Sequence, residues 1–229
     1  MCKHGAFRCF FVESAVAFMN RGPSMESPWI SLMYVVVALM VVRMLYRDYL
    51  RFRTTGVIAP QALPGATPAP FGLMVVGVIG SILILSVEIR GEYALNLVGE
   101  QSMLQWYAIF PILCAPIIEE IIFRGYLVIS HRGKKILWCS IIGFSLLFAL
   151  IHGHLITFGG EGEPWLKWQG NQLKGWFTTS ILMAQSLWWY TLRFCRWNPH
   201  QSLLPSMLAH FAVNVGVLLT KGFQGYLEW

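Results

Sequence analysis

The stretch APIIEEIIFRG, Ala115 to Gly125, sets two adjacent carboxylates and a guanidinium in surroundings that are otherwise apolar. An ionisable side chain inside a membrane span costs at least ~2.5–3.5 kcal/mol on insertion scales, so each needs a partner or a task. Glu120 and Arg124 are four apart, the spacing of an ion pair along one helix face. Glu119 is turned about 100° from Glu120 and about 140° from Arg124. The expectation is that Glu120 and Arg124 neutralise each other and lock the helix, while Glu119 points elsewhere and faces the work. A buried ionic clamp made of all three is the structural alternative. Pro116 lacks an amide donor, so it frees a backbone carbonyl close to the acids.

Two further apolar runs carry polar groups. In FALIHGH, Phe148 and His152 are four apart, which puts the phenyl ring under the imidazole. His154 points away towards an outer loop and reads as an interfacial residue. In HFAVN, His210 and Asn214 are again four apart. Aimed at one point they supply donors for an oxyanion; as the alternative they are polar glue between helices. Counted at 1.5 Å per residue from the turn at Gly133, Glu119 and His152 differ in height by roughly 7 Å, a gap that helix tilt closes. Two acids and two histidines also suit zinc, but the HExxH signature is absent. The expectation is no cofactor, with metal dependence left open. The odd set of five cysteines, Cys2, Cys9, Cys114, Cys139 and Cys195, reads as free thiols, three of them buried in apolar runs.

The elements that must position these groups follow from composition. The chain is 56% hydrophobic and 12% charged, with a mean hydropathy of +0.56, whereas soluble domains are about a quarter charged. This predicts an all-α polytopic transmembrane helix bundle. Six stretches reach the roughly 20 apolar residues a bilayer requires: Trp29–Tyr46, Phe71–Ile89, Met103–Ile129, Ile136–Phe158, Trp176–Trp197 and Leu203–Thr220. Residues 1–24 are too interrupted to span; they read as an interfacial helix, or as a stretch preceding a true start at Met25.

The net charge of +6 includes no long basic tract, so no nucleic-acid partner is expected. RMLYRDYLRFR, HRGKK and RFCRWNPH are the basic loops, which places them in the cytoplasm and both termini outside. The Pro-rich APQALPGATPAP reads as a linker. Trp165, Trp168, Trp176, Trp188, Trp189 and Trp197 read as an interfacial aromatic belt. Glu88 and Arg90, at a span end, receive no functional reading.

Taken in order and on separate spans, Glu119-Glu120…Arg124 with Gly125, Phe148…His152 and His210…Asn214 resemble three motifs of a known family. It is the CAAX protease and bacteriocin-processing (CPBP, or Abi) family of glutamic intramembrane endopeptidases, which includes the type II CAAX prenyl endopeptidases. The resemblance covers roughly Ile112 to Val217. It implies that Glu119, assisted by His152, activates water, that His210 and Asn214 hold the oxyanion, and that Glu120, Arg124 and Phe148 give structural support. No covalent intermediate is implied. The organisation that follows is an N-terminal segment (1–24), two N-terminal spans (25–100) and a catalytic core (101–229). The implied partners are the lipid bilayer and a membrane-anchored protein or peptide substrate: a prenylated tail, a leader peptide or a C-terminal sorting tail. The implied setting is a bacterial plasma membrane. By the loop rule an exported tail reaches the site more readily than a cytosolic one. Competing expectations are a non-catalytic immunity or scaffold protein of the same fold, and a proton-coupled transporter, which the lack of internal repeats disfavours.

Overall fold

The computed structural model describes residues 28–152, 154–158, 166–170 and 172–228. The expectations for residues 1–24 and for Met25 lie outside them. Six long helices form the bundle among the described residues: α1 Pro28–Thr55, α2 Phe71–Ala94, α3 Ile109–Glu119, α4 Lys134–Ile151, α5 Leu173–Phe194 and α6 Leu204–Phe223. Glu120–Leu127 continues α3 as a π-helix. All except α5 are long and apolar enough to cross a membrane, α3 when taken with its flanking turns. The protein is therefore an all-α, multi-pass membrane protein.

Narrow stripes hold the helices together. In α1 the buried positions are Ser31, Ala38, Val41, Leu45 and Asp48, at steps of seven, three and four, which is one helix face. Most of the remaining surface is large and apolar, as on Met33, Leu39 and Met40, the exposure expected of a helix bathed in lipid. In α2 the stripe is Leu73, Gly77, Ser81 and Leu85. Its small residues let backbones approach: a Cβ on Gly77 would meet Leu192 Cδ1 at 2.9 Å and the Pro205 carbonyl oxygen at 3.2 Å. α2 packs along α6 and also against α5, while α1 packs on α3.

α5 departs from the apolar pattern for a visible reason. Thr178, Thr179, Gln185, Ser186 and Arg193 are all buried in the bundle, so its polar side faces protein. Two tryptophans assigned above to an interfacial belt also turn inwards. Trp189 is 1% exposed, and Trp188 donates from Nε1 to the Gly77 carbonyl at 3.1 Å. Trp168, Trp176 and Trp197 stay exposed.

Both ends of the bundle are organised. At the end with the basic loops, the Pro-rich stretch after α1 is packed rather than loose. The buried Asp48 carboxylate accepts the Leu63 amide at 2.9 Å, and Gly65 accepts the Leu203 amide at 3.0 Å. Gly65 has φ +69°, and a Cβ there would meet Leu203 Cγ at 2.6 Å, so glycine is required twice over. At the other end, β1 (Leu104–Gln105) pairs in parallel with β4 (Leu227–Glu228). Lys174 Nζ donates to the Leu97 carbonyl at 3.1 Å and Lys221 Nζ to the Ser102 carbonyl at 2.8 Å. The connection between α2 and α3 is thereby strapped across that end. The fourth span, expected to run to Phe158, stops at Ile151. The chain then forms a hairpin of β2 (Ile156–Phe158) and β3 (Leu166–Trp168). The three described cysteines are free thiols, and Cys139 is exposed rather than buried.

Candidate active site

Pro116 sits inside α3. It has no amide proton, so the carbonyl four residues back, that of Ile112, loses its helical donor. Asn214 of α6 supplies the replacement: its Nδ2 donates to the Ile112 oxygen at 2.7 Å. Three residues after Pro116 the α-helix gives way to the π-helix, which opens at Glu120. Single π turns inside helices recur at functional sites, and this one carries both Glu120 and Arg124.

Those two side chains are fully buried, and Arg124 Nη1 lies 3.2 Å from Glu120 Oε1. The guanidinium also donates from Nη2 to Ser186 Oγ at 2.5 Å, and Ser186 in turn donates to Ser145 Oγ at 3.1 Å. Its Cζ stands 4.6 Å from the ring centre of Phe148, 4.9 Å from Tyr190 and 5.0 Å from Trp189. Such a ring of π faces is a fitting lining for a desolvated cation. Tyr190 is itself fixed, donating to the Phe123 carbonyl at 2.8 Å. Glu120 and Arg124, four apart in sequence, are in contact, and the Phe148 ring lies against Arg124, His152 and His210.

Glu119 is different. It is 8% exposed, and its Oε2 has no hydrogen-bond partner among the described residues. The nearest imidazole is that of His210, whose Nε2 stands 3.8 Å from Glu119 Oε2. The other nitrogen, Nδ1, is 3.1 Å from Glu120 Oε1. A carboxylate already paired with Arg124 can only accept, so Nδ1 carries the proton. Nε2 is thus left to exchange a proton with Glu119. His210 bridges the two acids.

His152 stands across Phe148 from His210, the ring centres lying 4.5 Å and 6.1 Å from that of Phe148. No direct hydrogen bond or ion pair joins it to Glu119 among the described residues. Because α4 ends one residue earlier, the Phe148 carbonyl is free to accept from His152 Nδ1 at 2.7 Å. This closes the helix and leaves Nε2 as the acceptor nitrogen. His152 is exposed as a residue, and its imidazole presents a lone pair at Nε2. Both histidines are therefore tautomerically set, each by an Nδ1 bond. His154 lies apart; burial and the ammonium groups of Lys174 and Lys221 hold its imidazole below the ordinary range.

Trp189, Ser186, Ser145 and Tyr190 have no counterpart among the motifs, although all four touch the site. The signal for Ser145 was its spacing: Ser145, Phe148 and His152 fall at steps of three and four. On α5 the sign was polarity recurring at helical steps within an otherwise apolar run. Tyr34 of α1 lies within electrostatic reach of Glu119. Among the described residues no three of His, Cys, Asp and Glu are arranged to hold a metal ion.

Searches of curated proteins and of solved structures give no match. A protein-family model does match, over residues 101–216, just over half of the chain: the family described as type II CAAX prenyl endopeptidase Rce1-like.

Proposed function

The chain belongs to the Rce1-like family of type II CAAX prenyl endopeptidases, a protease family, and from that premise we propose that it hydrolyses a peptide bond of a membrane-associated protein with water activated by Glu119. What carries this reading is the contrast between the two acids. Glu120 is engaged by Arg124 and His210, whereas Glu119 Oε2 is buried, has no hydrogen-bond partner among the described residues and stands 3.8 Å from an imidazole nitrogen. A carboxylate so placed is suited to general-base work.

The steps balance without an acyl-enzyme. Water enters past the exposed His152, whose Nε2 orients it. Glu119 takes one of its protons as the water oxygen attacks the scissile carbonyl carbon. The oxyanion is met by His210, once Nε2 holds the shared proton, and by the Asn214 N–H that is not used on Ile112. Collapse breaks the C–N bond as the same proton returns from His210 Nε2 to Glu119 and passes from there to the leaving amine. Fixed donors in a water-poor site are the usual source of such stabilisation.

The substrate proposed is a membrane-anchored tail or leader, and the setting a bacterial plasma membrane. Comparison of membrane-protein termini in cells making the wild type or Glu119→Gln tests the proposal. A terminus that appears only with the intact acid supports it. Identical termini, with both proteins present at equal levels, would sink it.

A further inference from the structure

His210 is held at its nitrogens by the two acids, and its ring plane is held by something else. The indole of Trp189 stacks on it, with centroids 3.9 Å apart and planes 19° from parallel. Phe148 approaches edge-on at 79° and also meets Trp189 edge-on, at 5.8 Å. The indole is 1% exposed and fixed in its own right: Nε1 donates to Ser81 Oγ at 3.0 Å. Ser81 is fully buried on α2, outside the segment that matches the family. Its backbone carbonyl accepts from Gln185 Nε2 at 3.0 Å, which ties the same point of α2 to α5 a second time.

We propose that Trp189 is a positioning residue for His210, its indole fixing the imidazole plane so that Nε2 stays aimed at Glu119, with Ser81 of α2 fixing the indole. One hydrogen bond at Nδ1 leaves the imidazole free to swing about its ring axis. A parallel face in van der Waals contact removes that freedom. The π face also attracts the ring most when it carries a second proton, the state in which His210 meets an oxyanion. The role, though not the contact, rests on the hydrolytic reading above.

Two measurements on the purified full chain in detergent separate the claims. The first needs no activity: tryptophan emission followed against pH. The wild type shows a pH-dependent quenching component that is lost in Trp189→Phe and equally in His210→Gln, since the two rings make one pair. A component that survives His210→Gln overturns the stacking. The second follows cleavage of an internally quenched, farnesylated peptide ending in a CAAX sequence. Trp189→Leu lowers kcat by about tenfold or more with KM nearly unchanged, and Trp189→Phe recovers most of the loss. Ser81→Ala, which keeps the aromatic core intact, lowers kcat about threefold, again with KM held, and it answers the question should Trp189→Leu fail to fold. Unchanged kcat in a folded Trp189→Leu or in Ser81→Ala overturns the positioning role. A wild type that leaves the peptide uncut counts against the protease reading and with it the role, while fluorescence still decides the contact.

Discussion

Glu120 and Arg124 have lost all contact with solvent, so each depends on the other. Arg124→Ala strands a buried carboxylate and is expected to cost about 3–5 kcal/mol, measured as denaturant unfolding in detergent. Glu119→Gln has no such consequence, because Glu119 Oε2 has no hydrogen-bond partner among the described residues; its unfolding free energy should stay within about 0.5 kcal/mol of the wild type while cleavage disappears. The pairing of 120 with 124, and the turn of 119 away from that pair, were legible in spacing alone. Which imidazole meets Glu119 was not. Helix arithmetic aligned it with His152, yet the contact is made by His210, because α4 ends at Ile151 and relative depth depends on tilt and on where a helix stops. Arg193 was read as the start of a basic cytoplasmic loop, yet it is 6% exposed.

At the level of elements, Pro116 and Asn214 form one device spread over two helices. Asn214→Leu leaves the Ile112 carbonyl without its donor, a loss of about 1–3 kcal/mol. In Pro116→Ala the helix can bond that carbonyl itself, so Asn214→Leu should cost much less there; a double-mutant cycle in unfolding free energy reads the coupling. Additive losses would contradict it. A second device keeps the chain after His152 in place. A Cβ on Gly175 would collide with the His154 carbonyl oxygen and lie 3.1 Å from Leu155 Cδ2. Gly175→Ala is expected to destabilise by about 1–3 kcal/mol and to lower cleavage, both measured on the purified protein. Hydropathy located every long helix, including the less apolar α5. It failed at the end of α4, where LITF is apolar enough to continue a span but enters a hairpin. It also failed for the tryptophans of α5, since a belt and a core are alike in composition.

Across the whole molecule, the motifs account for only part of what surrounds the acids. α1 brings Tyr34 towards Glu119 and α2 brings Ser81 to Trp189, and neither helix lies in the matched region. A fragment beginning at residue 101 should therefore yield no protease-resistant core, whereas coexpression with residues 1–100 should restore one; limited proteolysis in detergent distinguishes the two. Sequence alone drew a boundary near residue 100 because the recognisable chemistry begins there. Packing draws none, as α2 lies along α6 for much of its length. The hydroxyl at position 81 gives this a practical edge. A chimera that joined this chain's residues 101–216 to the opening helices of a relative would inherit every motif intact, yet it would tilt an imidazole out of plane unless that one small side chain travelled with them.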